Sequence, residues 1–97
     1  MALGDAVVVA STAITAGSTS TIRPGSSIEW IIHNIYLPTV STTELYATDG
    51  ANAILIDTSY GGGWLNHFFH LTNAQYLEVK NTGATTIYMK YDGIVSK

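Results

Sequence analysis

Residues Ile22 to Pro38 read IRPGSSIEWIIHNIYLP. A Pro-Gly-Ser-Ser turn opens the stretch, and almost every position after it is apolar or aromatic. Successive side chains of a β-strand point to opposite faces, so a half-buried strand alternates apolar with polar residues. Strict alternation from Ile28 puts Ile28, Trp30, Ile32, Asn34 and Tyr36 on one face, and Glu29, Ile31, His33, Ile35 and Leu37 on the other. Both faces carry bulk. Trp64 to Leu71 behaves similarly, with Trp64, Asn66, Phe68 and His70 opposing Leu65, His67, Phe69 and Leu71. Two-sided strands in a small antiparallel protein imply a second covering layer. No helix pattern is available to provide it, so another copy or another protein is the simplest cover.

Around this stretch, turn signals recur at short intervals: Gly17, Pro24-Gly25, Pro38, Asp49-Gly50, Gly61-Gly62-Gly63, Asn73, Asn81-Thr82-Gly83 and Asp92-Gly93. Runs of Val, Ile, Thr, Tyr, Phe and Trp lie between them, and no window sustains a 3.6-residue apolar period with helix caps. The pattern predicts an all-β fold, an antiparallel β-sandwich of about eight short strands, jelly-roll-like. The expected strands are Ala6 to Ala10, Ala13 to Ile22 with a break available at Gly17, Ile28 to Leu37, Thr43 to Thr48, Ala53 to Thr58, Trp64 to Thr72, Tyr76 to Asn81 and Thr85 to Val95. Residues 1–17 read as an N-terminal strand or extended arm, and residues 18–97 as the β-sandwich domain.

Two hairpins stand out. In TELYATDGANAILIDT, Asp49-Gly50 offers the positive φ of a tight turn, and Leu45 would share a face with Ile54 or Ile56. In YLEVKNTGATTIYMKY, Leu77 and Val79 point one way and Ile87, Met89 and Tyr91 can join them, with Glu78, Lys80, Tyr88 and Lys90 in solvent. Trp30 or Ile32, with Leu77, Val79, Ile87 and Met89, is the expected core.

A chain of 97 residues makes one small domain with a thin core. Charged residues are only 11% of it, against roughly 25% in typical domains. Such a surface is poorly defended against association. The net charge is −3, and the four cations, Arg23, Lys80, Lys90 and Lys97, are scattered. No basic stripe exists to bind nucleic acid, and an anionic membrane is equally unsupported. With no cysteine there is neither a disulfide framework nor a thiolate metal site. MALGDAVVVASTAITAG lacks the basic start of a signal peptide, carries Asp5 before its apolar run, and is too short and Thr-rich to span a bilayer.

Catalytic chemistry is sparse. His67 and His70 are three apart, so on a strand they point to opposite faces and cannot chelate one ion; His33 joins them only through tertiary folding. There is no G-x-S-x-G elbow and no local Ser-His-Asp arrangement. Glu29, Glu44, Asp49, Asp57, Glu78 and Asp92 offer carboxylates, but so few strands leave little depth for a cleft. The expectation is a protein that is not an enzyme and takes no cofactor or metal. YGGGWLNHFFH is the most distinctive local feature. Trp64 on a glycine-shaped loop suits stacking on a sugar ring, with Asn66 and His67 as donors; the blander alternative packs Trp64 at the sandwich end or between subunits.

The order of these features, a Pro-Gly turn before an Ile-rich strand, a D-G hairpin, then FFHLTNAQYLEVKNTGATTIYMKYDGIV, resembles the small β-sandwich proteins of tailed-phage particles. These are the capsid decoration (cement) proteins and the related jelly-roll modules of tail fibres and adaptors. The resemblance covers roughly Ile22 to Val95 and rests on loose motifs without a chemical signature. It implies a virion structural protein on the capsid surface, a homo-oligomer with a trimer favoured, whose partner is the major capsid protein. A chain running from Met1 to Lys97 favours a stand-alone decoration subunit over a fibre fragment. The interface candidates are Val7, Val8, Val9, Ile31, His33, Ile35, Tyr36, Trp64 and Phe68. The alternative is a receptor-binding or lectin-like tail-fibre module that binds a glycan through Trp64.

Overall fold

The computed structural model describes residues 2–39 and 41–97. They form ten strands and no helix: β1 (Ala6–Val8), β2 (Thr12–Ile14), β3 (Thr19–Ile22), β4 (Trp30–Tyr36), β5 (Thr43–Thr48), β6 (Ala53–Ser59), β7 (Gly63–Trp64), β8 (Phe69–Leu71), β9 (Tyr76–Asn81) and β10 (Ile87–Val95). The broken spans lie where the sequence places its punctuation. Gly17, at φ 77°, separates β2 from β3.

All pairings are antiparallel. One sheet has the order β1–β10–β4–β7, with β2 also on β10 and β8 also on β4; the other has the order β3–β9–β5–β6. β1 pairs with Asp92–Ile94 and β2 with Ile87–Met89, so the two follow one another along a single edge of β10. β7 and β8 do the same along β4. Taken as two interrupted strands, they leave a four-on-four sandwich in which every connection except the β5–β6 hairpin passes from one sheet to the other. This is the winding of a jelly roll.

The core lies between the sheets. Val7, Ile14, Ile32, Ile35, Leu71, Ile87, Met89 and Val95 from the first sheet meet Ile22, Leu45, Leu77 and Val79 from the second. Of the expected core residues only Trp30 is not fully buried; it packs against the cluster from its margin.

The two-sided strand has a local cause. Asn34 is opposite Asp92, but Ile32 is opposite Gly93, so His33 is an extra residue in β4. This β-bulge resets the alternation. Ile32 and Ile35, three apart and assigned to opposite faces by strict alternation, are both fully buried in the same core. Ile31, Asn34 and Tyr36 occupy the outer face opposite Ile94, Asp92 and Lys90. The β4 partner across the bulge is Gly93, where a Cβ would overlap the carbonyl oxygen of Ile31. The bulk of β4 is therefore mostly intramolecular core, a correction to the reading that one whole face awaited a partner.

The second hairpin is also corrected. Leu77, Val79, Ile87, Met89 and Tyr91 do share the core, but β9 and β10 belong to different sheets. Asn81 holds the crossover. Its buried Nδ2 donates to Ile14 O (2.9 Å) and Thr85 O (2.7 Å), and its Oδ1 accepts from the Gly83 N–H (2.9 Å).

Candidate interaction surface

Apolar side chains left in solvent form the most prominent surface feature, and the β5–β6 hairpin presents the largest group. Its turn is built by Asp49, whose Oδ1 accepts from the N–H groups of Asn52 (2.8 Å) and Ala51 (2.9 Å). Those bonds hold the Asp49 carboxyl below the usual carboxylate range. Thr48 Oγ1 accepts from the N–H of Gly50, whose φ of 93° closes the turn.

Beyond the turn, β6 runs along β5 as the outermost strand of its sheet. Asp57 is opposite Leu45 and Leu55 opposite Tyr46, so Ile56 is an extra, bulged residue. Ile54 and Ile56 both line a cleft of about 400 Å³ between the two sheets. Its floor is Ala47, Leu71 and Leu77, and Phe68 stands on its far lip. Ile54 is 66% exposed, Leu55 and Ile56 47% each, and Phe68 79%. Leu45 and Ala47 face the core side of β5, and Ala47 is opposite Ile54. The expected pairing of faces is thus present, but Ile54 overhangs the sandwich instead of filling it.

The far lip is fixed by polar contacts. Asn66, at φ 61°, donates its N–H to Asn34 Oδ1 (2.9 Å), and His67 N–H donates to His33 O (2.9 Å). Phe68 is left projecting, with the His33 ring edge-on at 5.0 Å. Behind it, Trp64 Nε1 donates to Asp57 Oδ2 (2.7 Å) and Thr58 N–H to Asp57 Oδ1 (2.8 Å). The Trp64 bond above all, then the Thr58 N–H and nearby His67, holds the Asp57 carboxyl below its ordinary value.

The interface candidates divide into two groups. Val7, Ile35 and Trp64 are corrected to core residues: β1 lies on β10, the bulge turns Ile35 inward, and the Trp64 indole is only 4% exposed. A sugar ring cannot stack on Trp64 without unpacking it. Val9 is half-buried against the core, and its N–H bonds Tyr91 O. Val8, Ile31, His33, Tyr36 and Phe68 retain exposed surface. Val8, 70% exposed, is opposite Asp92 on the outer face of the first sheet, where Ile94 and Ile31 are also cross-strand neighbours. Tyr36 OH and Asn34 Nδ2 both donate to Asp92 there, at 2.6 and 2.8 Å.

The histidines are dispersed. His67 stacks on Phe69 at 5.3 Å, and His70 Nε2 lies 2.9 Å from Glu29 Oε1, with Lys97 Nζ 3.7 Å from the other oxygen. Among the described residues, no three His, Cys, Asp or Glu side chains gather as a metal ion would require. Sequence reasoning missed Ile54, Leu55 and Ile56 as surface residues. Their sole signal was an apolar run without alternation, which reads equally well as core. Against known proteins, the chain matches no family model and no curated sequence.

Proposed function

We propose that this chain is a structural subunit of a tailed-phage particle, a capsid decoration protein that binds the assembled shell and stabilises it. The observation that carries the reading is the apolar surface left uncovered at Val8, Ile54 and Phe68 on a chain with 11% charged residues. A domain that worked alone in solution would gain from covering or charging such positions. The jelly-roll winding suits the reading without deciding it, since viral capsid and lectin domains share that architecture. The order of motifs from Ile22 to Val95 adds the phage resemblance.

The function is thermodynamic. A protein that binds the assembled shell, and not its separated subunits, stabilises the shell by mass action. Shell contact falls to the outer face of the first sheet, where Val8, Ile31 and Ile94 present apolar surface beside the Tyr36–Asp92 bond. The lectin-like alternative loses its platform with the burial of Trp64.

Co-sedimentation with undecorated shells assembled from a tailed-phage major capsid protein tests this. The protein should pellet saturably with shells and remain in solution with unassembled capsid subunits. Val8→Glu should weaken pelleting while leaving the circular dichroism spectrum unchanged. Failure of the unmodified protein to pellet with shells would rule out the function.

A further inference from the structure

The β6 edge has a self-complementary sequence, and we infer that it pairs with β6 of a second copy across a two-fold axis at Leu55. The inference specifies the homo-oligomer that accompanies the function proposed above, but its geometry does not depend on shell binding.

Sheet edges expose unpaired N–H and C=O groups, and monomeric proteins blunt them with charge, proline, bulges, interruption or shortness. Three edges here are blunted. β3 is a four-residue, mostly polar strand; β1/β2 and β7/β8 are interrupted pieces of two or three residues. β6 runs seven residues without a break or a proline. No charged residue occurs from Gly50 to Ile56, and Asp57 is engaged by Trp64. The bulge at Ile56 is its one blunting device, and it leaves Ile54 and Ile56 together over the cleft.

The sequence Ala53-Ile54-Leu55-Ile56-Asp57 selects a second copy as the occupant. Antiparallel pairing about Leu55 sets Leu55 against its own mate, Ile54 against Ile56, and Ala53 against Asp57. Ile54, Leu55 and Ile56 each meet an apolar residue, and the isoleucines of each copy close the cleft mouth of the other. The two Asp57 carboxylates end about 13 Å apart along the strands, beyond the Debye length of about 8 Å in physiological salt. Ile54, Leu55, Ile56 and Phe68 together expose roughly 500 Å² per copy, so their complete burial in a pair would remove about 1,000 Å², the lower threshold of a specific interface. An isologous contact closes at two copies. The inferred contact is two-fold, where the resemblance implies a trimer.

Light scattering behind a sizing column tests the register. At tens of micromolar the protein should run at twice its 10.4 kDa chain mass. Leu55→Lys and Leu55→Glu should each run as monomers with unchanged circular dichroism, because each sets like charges face to face at the axis. An equimolar mixture of the two should recover the double mass, since only two-fold pairing puts position 55 against itself. A monomeric or trimeric unmodified protein, a single variant that stays paired, or a mixture that stays monomeric would overturn the inference. Loss of pairing with shell binding intact removes this interface alone. Pairing without shell binding removes the proposed function alone.

Discussion

Truncating the three isoleucines of β4 one at a time, Ile31→Ala, Ile32→Ala and Ile35→Ala, tests the bulge on which the core depends. Strict alternation would give Ile31 and Ile35 the same environment and Ile32 the opposite one. The bulge at His33 instead places Ile32 and Ile35 together in the core, while Ile31 lies half-buried on the outer face beside Ile94. Ile→Ala removes three carbons, or about 2.4 kcal/mol at ~0.8 kcal/mol per buried methylene. The unfilled cavity raises the cost toward the upper part of a 2–5 kcal/mol range, so about 3–4 kcal/mol is expected for Ile32 and for Ile35. Ile31 should lose about 1 kcal/mol, because much of its side chain is not enclosed. A small domain has only about 5–15 kcal/mol in total, so the two core variants should show clearly lower urea midpoints at one fixed protein concentration. Equal losses at Ile31 and Ile35, with Ile32 standing apart, would refute the bulge and restore the two-sided strand.

Asn81→Ala should cost about 1–3 kcal/mol in the same assay, because it leaves the carbonyls of Ile14 and Thr85 without their donor in a buried crossover. A loss within about 0.5 kcal/mol, typical of a surface substitution, would contradict that role. The pH dependence follows from Asp49 and Asp57, whose folded pKa values are depressed. Depressed carboxylates contribute stability that is present above the unfolded carboxylate pKa of about 4 and is lost as pH falls through the folded value. Melting temperature should therefore fall on the acid side of that value, and Asp57→Asn should flatten part of the fall; an unchanged profile in the variant would count against the Trp64–Asp57 bond.

Much of the strand layout was legible locally. Thr43–Thr48 and Tyr76–Asn81 match their expected bounds because Gly, Pro and Asn punctuate both sides. What failed was non-local. A bulge and a two-sided strand have the same sequence appearance, loss of alternation, and only the partner's register at Asp92 and Gly93 separates them. The Asn81-Thr82-Gly83 turn can close a hairpin or carry the chain to the opposite sheet, and the choice is set by Asn81 reaching Ile14, 67 residues away. Edge position is likewise absent from local sequence. Ala53 to Ile56 reads as core, yet β6 has a partner on one side only, which leaves Ile54, Leu55 and Ile56 at the surface. Of the site candidates, Phe68 and Val8 are exposed, while Ile35 and Val7 are taken into the core by register alone.

Heating shells with and without the protein, and following their disruption by calorimetry, measures stabilisation directly. At a free concentration near 100 times the dissociation constant, each occupied site should add about 2.7 kcal/mol to the assembled state. The disruption temperature should therefore rise with added protein and level off at saturation, and Val8→Glu should shift the rise to higher concentration. Shells that bind the protein to saturation yet come apart at an unchanged temperature would contradict the role.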